Sequence, residues 1–348
     1  MSTPFDRNVL DIDCEHVAST IEQAMMHAVS RTLHRRGAVV GVSGGVDSAV
    51  CAALAARAFG PERVVALLMP EVDTADGSTD RGRALCEQLG IASVLEDIAP
   101  ALTALGCYRR RDDAIRRLFP AYGAGYRQKI ALAEGLLDRD RVSYFTLTVE
   151  SPSGERSTRR MPTDVYLEVV AATNMKQRVR KLIEYFHAEA RNYAVLGTPN
   201  RLEYALGFFV RGGDGLADLK PIAHLYKTQV YALAAHLGLP TEIRDQLPST
   251  DTYRHPQTQE EFYFALPYAE MDLMLYAWEH DVPTAEAGPT VGLTAEQVER
   301  VYRDIVAKRR AAERGLRDAL LVEPVHVAAP APGTSLAHGV GAEEEQQS

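Results

Sequence analysis

The stretch from Gly37 to Ala58 constrains the fold more than any other part of this chain. A short apolar run, Ala38 to Val42, predicts a buried strand, and the polar and glycine residues Ser43 to Gly45 end it. Apolar residues recur at helical spacing from Val46 onward. A strand, a glycine turn and a helix in this order direct backbone N–H groups, and the positive end of a helix dipole, at one small volume. The stretch therefore predicts a phosphate-binding turn.

Asp47 is unexpected beside a phosphate site, because its carboxylate would repel the ligand. One interpretation is that a divalent cation bridges the two, since Mg²⁺ is commonly held by one or two carboxylates together with substrate phosphates. The other is that Asp47 only stabilises the first turn of its helix through the helix dipole. The turn has neither the Gly-Lys-Ser/Thr ending of a Walker loop nor the G-x-G-x-x-G spacing of a dinucleotide-binding fold.

The composition narrows the possible partners. The chain has 348 residues, of which 46% are hydrophobic, and it can bury a full core. Its net charge of −9 argues against a nucleic-acid binder that relies on general phosphate attraction. No stretch reaches the roughly 20 apolar residues that span a membrane, and the N-terminus has no signal pattern. We expect a cytoplasmic protein with neither a membrane nor a nucleic-acid partner.

Predicted strands and helices alternate along the chain. After the strand at Ala38, further strands are predicted at 63–69, 91–95, 192–196 and 219–222, with helices between them. This alternation predicts an α/β fold with a doubly wound, parallel five-stranded sheet and helices on both faces. Ligands of such sheets bind beyond the carboxyl ends of the strands. We expect one domain over residues 1–325 and a disordered tail, rich in Ala, Pro and Gly, over residues 326–348.

The middle of the chain is less regular. Residues 101–139 favour helices, and residues 140–168 favour an inserted β-hairpin with its turn at 151–155. Three arginines (Arg156, Arg159 and Arg160) would lie on the second arm, either as a solvated edge strand or as a lid over an acidic substrate. A helix is predicted over residues 174–190. Its predicted first turns carry four cations, which favours an anionic partner there; the alternative is a solvated charged face. The cations are Lys176, Arg178, Arg180 and Lys181.

Six ordered motifs resemble those of the ammonia-dependent NAD synthetase family, a branch of the ATP pyrophosphatase (PP-loop) superfamily. The S-G-G-x-D-S motif alone indicates only the superfamily, whereas the ordered set, over roughly residues 15 to 315, indicates the branch. The resemblance implies an adenine nucleotide alpha hydrolase-like fold. The matching stretches are Ser43–Ser48, Asn174–Arg178, Gly197–Glu203, Arg211–Asp218, Leu225–Gln229 and Pro248–Asp251.

The resemblance also implies roles for individual residues. Asp47 and Glu203 would hold Mg²⁺, and Asp47, Lys227 and Asp218 would be catalytic. The residues expected to bind the carboxylate substrate are Arg178, Arg211, Asp218 and Lys308. Those expected to bind ATP are Gly41, Val42, Ser43, Gly44, Gly45, Val46, Asp47, Ser48, Thr198, Lys227 and Ser249.

The implied reaction has two steps. The carboxylate of deamido-NAD attacks the α-phosphorus of ATP and releases pyrophosphate, and ammonia then displaces AMP to leave the amide, NAD. No glutaminase domain is recognisable, so the nitrogen donor would be free ammonia or ammonia from a partner protein. The family also implies a homodimer with the dinucleotide site at its interface.

Several positions depart from the family pattern. Arg211 and Gly212 stand where the family has lysine and tyrosine, Gln177 replaces an alanine, and residues 307–311 replace a His-Lys-Arg segment. These departures fit an amide ligase of the same mechanism for another carboxylic acid, and they also fit plain divergence within the family. A separate alternative, from another class, is a non-catalytic nucleotide-binding or tRNA-associated protein.

Overall fold

The computed structural model describes residues 5–132, 144–246, 263–264, 266–323 and 325. A first compact unit extends to Leu316, and the described residues beyond it, 317–323 and 325, belong to a second. The predicted tail at 326–348 and the motif at 248–251 lie outside the described residues. The strands are β1 (Ala38–Gly41), β2 (Val64–Leu68), β3 (Ala92–Leu95), β4 (Arg127–Leu132), β5 (Phe145–Glu150), β6 (Arg156–Arg160) and β7 (Ala194–Leu196).

The helices of the described residues surround two sheets. None of them is long and apolar enough to cross a membrane. Short 3-10 turns at Arg7–Leu10 and Pro61–Arg63 and a π turn at Ala28–Thr32 accompany them. The α-helices are α1 (Cys14–His27), α2 (Val46–Phe59), α3 (Ser78–Leu89), α4 (Ala99–Ala104), α5 (Cys107–Arg116), α6 (Thr163–Arg191), α7 (Arg201–Leu206), α8 (Lys227–His236), α9 (Thr241–Arg244), α10 (Tyr268–Glu279), α11 (Thr284–Val291) and α12 (Ala295–Leu316).

The larger sheet is parallel, in the order β3-β2-β1-β7; β1, β2 and β7 are buried, whereas the edge strand β3 is largely exposed. Alternate residues enter different cores because successive side chains of a strand point to opposite faces. Ala38 and Val40 pack with α1, α2 and α8 on one face. Val39 and Val195 pack with α4 and α6 on the other. The predicted α/β class, with helices on both faces of a parallel sheet, is confirmed.

The order of the strands reverses at β1. From β1 the chain moves outward through β2 and β3, and it then returns to the other side of β1 as β7. The carboxyl ends of β1 and β7 therefore flank a switch point, where ligands of open α/β sheets bind. The glycine turn follows β1, and the Gly197–Glu203 motif follows β7. The topology thus brings together two motifs that lie about 150 residues apart in the sequence.

Two predicted features of the sheets differ in detail from the structure. The fifth strand, predicted at 219–222, is reduced to a single parallel bridge between Leu196 and Leu219. The inserted hairpin is present as β5 and β6, but β4 pairs with β5 and makes it a three-stranded antiparallel sheet. The segment 101–139 was predicted to be helical, and in the structure it includes β4.

Helix α6 begins 11 residues before the predicted helix, at Thr163, and has 29 residues. Pro162 precedes its first turn and Asp164 lies within it, both common at helix starts. The cations predicted to crowd an N-terminus therefore lie in the middle of a helix, and the dipole argument for them was wrong. Two of them are neutralised by carboxylates of this chain, as described below.

The smaller sheet is held to the rest of the fold by an apolar cluster. Leu147 and Val149 of β5 and Ile130 of β4 pack against Val165 and Val169 of α6 and against α5. Strand β6 is exposed along its length. Its three arginines therefore lie on an edge strand, where charged side chains also oppose pairing with another chain. The cluster holds β5 in a fixed position against α6.

Candidate active site

The glycine turn after β1 is held in shape by its own polar groups. Gly44 has φ +83°, and a Cβ there would lie 2.7 Å from the Ser78 carbonyl oxygen. Only glycine fits both demands. Ser48 Oγ donates to the Gly45 carbonyl oxygen at 3.0 Å, and Ser78 Oγ donates to the Ser43 carbonyl oxygen. The turn leads directly into the N-terminus of α2, as the sequence predicted.

A second carboxylate reaches the same place from the motif after β7. Asn200 is fully buried and begins α7 with a capping box: its side chain accepts from the Glu203 N–H at 3.2 Å, and Glu203 accepts from the Asn200 N–H at 3.1 Å. The same Asn200 side chain donates to Asp47 Oδ1 at 3.2 Å. Asn200 thus orients both Asp47 and Glu203, the two carboxylates expected from the family resemblance to hold a metal ion.

Lys227 lies at the start of α8 and is 1% exposed. Its ammonium group contacts Asp47 Oδ2 and lies over the rings of Tyr231 and Tyr268. Burial by itself would lower the pKa of Lys227, but the neighbouring carboxylates of Asp47 and Glu203 raise it overall. Lys227 is therefore a charged group that sits behind the two carboxylates.

The electrostatics of this group favour a cation. Burial first, and the nearby Asp47 carboxylate second, raise the pKa of Glu203 to about 8. Both effects penalise a second negative charge at this position. A divalent cation between the two carboxylates would remove that penalty, and hard oxygen ligands of this kind suit Mg²⁺. The described residues contain no cluster of three or more metal-ligating side chains, so phosphate oxygens would have to complete such a site.

A cavity of about 430 Å³ opens beside the glycine turn. Asp47, Glu203 and Thr198 face it, as do most of the residues predicted to bind ATP. Gly44, Val46 and Lys227 are not part of its wall, and Ser249 lies outside the described residues. The predicted ATP residues on the wall are Gly41, Val42, Ser43, Gly45, Asp47, Ser48 and Thr198.

A buried ion network stabilises one side of the cavity. Lys176, 1% exposed, donates to Glu71 Oε1 at 2.9 Å and to Asp73 Oδ2 at 2.6 Å. Arg111 of α5 also pairs with Asp73, and the Tyr108 hydroxyl donates to Glu71 Oε2 at 2.9 Å. Every charge in the network has an opposite partner, as buried charges require. The network ties the loop after β2 to helices α5 and α6.

A second buried pair lies on the cavity wall. Lys181 donates to Glu184 Oε2 at 2.5 Å, one turn along α6, and a Cβ on Gly41 would lie 3.0 Å from Glu184 Oε1. The pKa of Glu184 is raised, chiefly by burial and against the lowering effect of Lys181. Lys176 and Lys181, two of the mid-helix cations of α6, therefore have carboxylate partners within the chain.

The residues predicted to bind the carboxylate substrate lie apart from the cavity wall. Arg178, Arg211 and Asp218 are exposed beside α6. The Arg178 Nε donates to the Arg211 carbonyl oxygen at 3.2 Å, and Tyr185 donates to Asp218 Oδ1 at 3.2 Å. Lys308 lies elsewhere, where it donates to the Tyr263 carbonyl oxygen at 2.7 Å and to Asp304 at 2.6 Å. The structure does not gather these four residues at one point.

Sequence reasoning missed the α6 face of the cavity and the contribution of β5. A signal was available, because Tyr166, Val170, Thr173 and Gln177 recur at helical spacing. The pattern begins at Tyr166, within the stretch 140–168 that the sequence predicted to be a β-hairpin, so it did not indicate a helix there. The wall residues missed in this way are Phe145, Tyr166, Val170, Thr173, Lys181 and Glu184.

A glycine turn that leads into a helix N-terminus at the switch point of a parallel sheet is typical of nucleotide-binding α/β proteins. The chain belongs to the NAD synthase family, because the model of the family described as NAD synthase matches residues 17–117 and 126–311. The resemblance inferred from the six motifs is confirmed.

Curated relatives are similar over most of the chain. The NH(3)-dependent NAD(+) synthetase of Rhizobium rhizogenes is 51% identical over 318 residues, which cover 91% of this chain and 96% of the relative. The enzyme of the same name from Rhizobium meliloti is 52% identical over 321 residues, covering 92% and 96%. The comparisons do not favour a ligase for a different acid.

A solved structure shares the fold. The NMN synthetase of Francisella tularensis superposes with a TM-score of 0.60 at 23% identity, covering 89% of this chain and 99% of that one. This likeness supports the architecture described above, and the sequence relatives support the family.

Proposed function

We propose that this chain is an ammonia-dependent NAD(+) synthetase, an ATP-dependent ligase that converts the carboxylate of deamido-NAD to the amide of NAD. The proposal is carried by 51% identity, over 91% of the chain, to a relative of that name. It is supported by a site in which a phosphate-binding turn, two carboxylates and a buried lysine meet.

The proposed chemistry begins with adenylation. A carboxylate oxygen of the acid attacks the α-phosphorus of ATP, and the bond to the β-phosphate oxygen breaks and releases pyrophosphate. The backbone N–H groups of the glycine turn would bind phosphate oxygens. Lys227, which lies behind Asp47 and not on the cavity wall, would offset charge on the leaving pyrophosphate from that position, which is electrostatic stabilisation of the kind that lowers such barriers.

The second step forms the amide. The nitrogen of ammonia attacks the acyl carbon, the bond to AMP breaks, and ammonia gives up a proton. Free ammonia is the proposed nitrogen source. Holding the acyl adenylate in place converts this step into one with a much smaller entropic cost.

Asp47 and Glu203 would hold Mg²⁺. Bound there, the ion would neutralise charge on the ATP phosphates. The two carboxylates fit this role because they share one cavity edge and because burial next to Asp47 disfavours the charged form of Glu203 without a cation.

The proposed assembly is a homodimer formed on α6. Leu182 and Phe186 of α6 are 68% and 62% exposed, and they lie one and two turns beyond the exposed Arg178 on the same face. Arg211 and Asp218 lie beside this face. A partner that covers the two apolar side chains would also cover Arg178, Arg211 and Asp218, which would account for their position outside the cavity of one chain; Lys308 lies elsewhere.

The test is incubation with deamido-NAD, ATP, Mg²⁺ and ammonium. We expect NAD, AMP and pyrophosphate in equal amounts. Absence of NAD from a folded, ATP-binding preparation would overturn the proposal. ATP–pyrophosphate exchange that required another acid would indicate a different substrate instead.

A further inference from the structure

The wall of the cavity includes two aromatic residues that do not belong to the parallel sheet. Phe145, the first residue of β5, and Tyr166 of α6 both form part of its wall. Their rings are stacked, with 4.2 Å between centroids and 11° between planes. The inserted antiparallel sheet therefore reaches the same cavity as the glycine turn.

The position of Phe145 is fixed by its surroundings. Its carbonyl oxygen accepts from the Met161 N–H at 2.9 Å, close to the start of α6. Leu147 of the same strand is fully buried against Val165 and Val169 of α6. A ring held by strand pairing on one side and by packing on the other is preorganised, and preorganised groups bind a ligand with little entropic cost.

Thr173 adds an unsatisfied polar group to this wall. It lies two turns along α6 from Tyr166 and is 5% exposed. Its hydroxyl has no hydrogen-bond partner among the described residues, although a helical threonine can usually reach the carbonyl oxygen one turn back. A buried hydroxyl without a partner is costly, so a ligand that supplies one is favoured.

The chemistry of the wall identifies the kind of ligand group. Phe145, Tyr166 and Val170 offer apolar contact and aromatic faces, and Thr173 offers one hydrogen bond. This combination suits a flat heteroaromatic ring with a polar edge. A cavity of about 430 Å³ whose wall includes both the glycine turn and this aromatic pair has room for such a ring.

We propose that Phe145 and Tyr166 form the stacking wall for a planar heteroaromatic ring of a co-substrate, with the Thr173 hydroxyl bonded to the ring edge. This inference rests on the proposed function, in which two rings are available: the adenine of ATP and the pyridine of deamido-NAD. The inserted sheet is on this view part of the active site.

The first test replaces the ring of Phe145. Phe145→Leu keeps the apolar bulk and should raise either the Kd and KM of ATP or the KM of deamido-NAD about 3- to 10-fold, because aromatic stacking is lost. Phe145→Tyr keeps an aromatic ring and should leave the same constant at its wild-type value. The substrate whose constant changes identifies the ring. Tyr144→Leu is the matched control, because Tyr144 is the adjacent aromatic residue and is absent from the cavity wall.

The second test uses Thr173→Val, which removes only the hydroxyl. We expect the free protein to keep or gain thermal stability, while the affinity for the same co-substrate falls severalfold. A purely structural threonine would not produce these opposite effects.

Unchanged constants for both co-substrates in folded Phe145→Leu would overturn the inference, as would an equal change in Tyr144→Leu. Failure of the proposed function is a separate result, namely no NAD from the wild-type protein. In that event the Kd values of ATP and of deamido-NAD, measured by calorimetry on wild type and Phe145→Leu, decide the inference, and it is overturned if neither Kd changes.

Discussion

At the scale of single residues, one asparagine organises the site. Asn200 begins α7, bonds Glu203 reciprocally and donates to Asp47. Behind them, Lys227 pairs with Asp47 and offsets only part of the cost of placing two carboxylates together. The site is therefore compact, with each polar group tied to the next.

Removal of one carboxylate tests the proposed cation. We expect Asp47→Asn to lower the rate of NAD formation about 100-fold or more, because the charge that would help hold Mg²⁺ over the phosphates is lost. Glu203→Gln should behave similarly. The exposed Asp80→Asn serves as the control and should keep full activity. Mg²⁺-dependent rates like those of wild type in Asp47→Asn would contradict the assigned role.

At the same scale, Asn200→Ala should weaken both the helix and the site. Loss of the cap should lower the free energy of unfolding by about 1–2 kcal/mol, measured by urea denaturation. Activity should fall as well, because Asp47 and Glu203 lose their shared partner. Asp13→Ala removes the exposed cap of α1, where the side chain accepts from the His16 N–H at 3.0 Å. It should affect stability alone, and equal losses of activity in both variants would argue against a role for Asn200 in the site.

At the scale of elements, helix α6 connects the cavity, the exposed apolar face and the inserted sheet. One face of this helix lines the cavity, the neighbouring face is exposed, and its first half carries the inserted sheet. The loop after β2 is fastened to it by the ion network around Lys176. The buried pairs of α6 thus hold the cavity walls in place.

The buried ion network around Lys176 should contribute far more to the free energy of unfolding than ion pairs at the surface do. We expect Lys176→Met to lower the free energy of unfolding by about 3–5 kcal/mol, because Glu71 and Asp73 lose a buried counter-charge. Arg117→Met removes the exposed pair with Glu168 and should cost about 1 kcal/mol or less. Denaturant titration of both variants measures the difference, and similar values would show that the buried network contributes little.

At the scale of the whole molecule, the proposed dimer would complete the dinucleotide site. The double variant Leu182→Glu with Phe186→Glu should be monomeric in sedimentation velocity and should bind deamido-NAD poorly, because charge replaces the apolar contact on α6. Leu105→Glu, at an apolar residue 51% exposed elsewhere, is the control and should leave the dimer intact. A monomeric wild type, or a dimeric double variant, would contradict the proposal.

Features that depend on neighbours along the chain could be predicted from the sequence. The strand, glycine turn and helix at Gly37 to Ala58 and the cap of α7 arise from short-range hydrogen bonding and backbone freedom. The motif after β7 could be paired with Asp47 because parallel strands end at one edge of a sheet.

The other features described above depend on contacts between segments that are far apart in the sequence. The early start of α6, the third strand of the inserted sheet and the aromatic wall at Phe145 and Tyr166 were missed, because packing between distant segments fixes them. The same is true of Lys176, whose charge looked unpaired in the sequence and is neutralised by residues about 100 positions away. Long-range contacts select among conformations that local propensity leaves nearly equal in free energy.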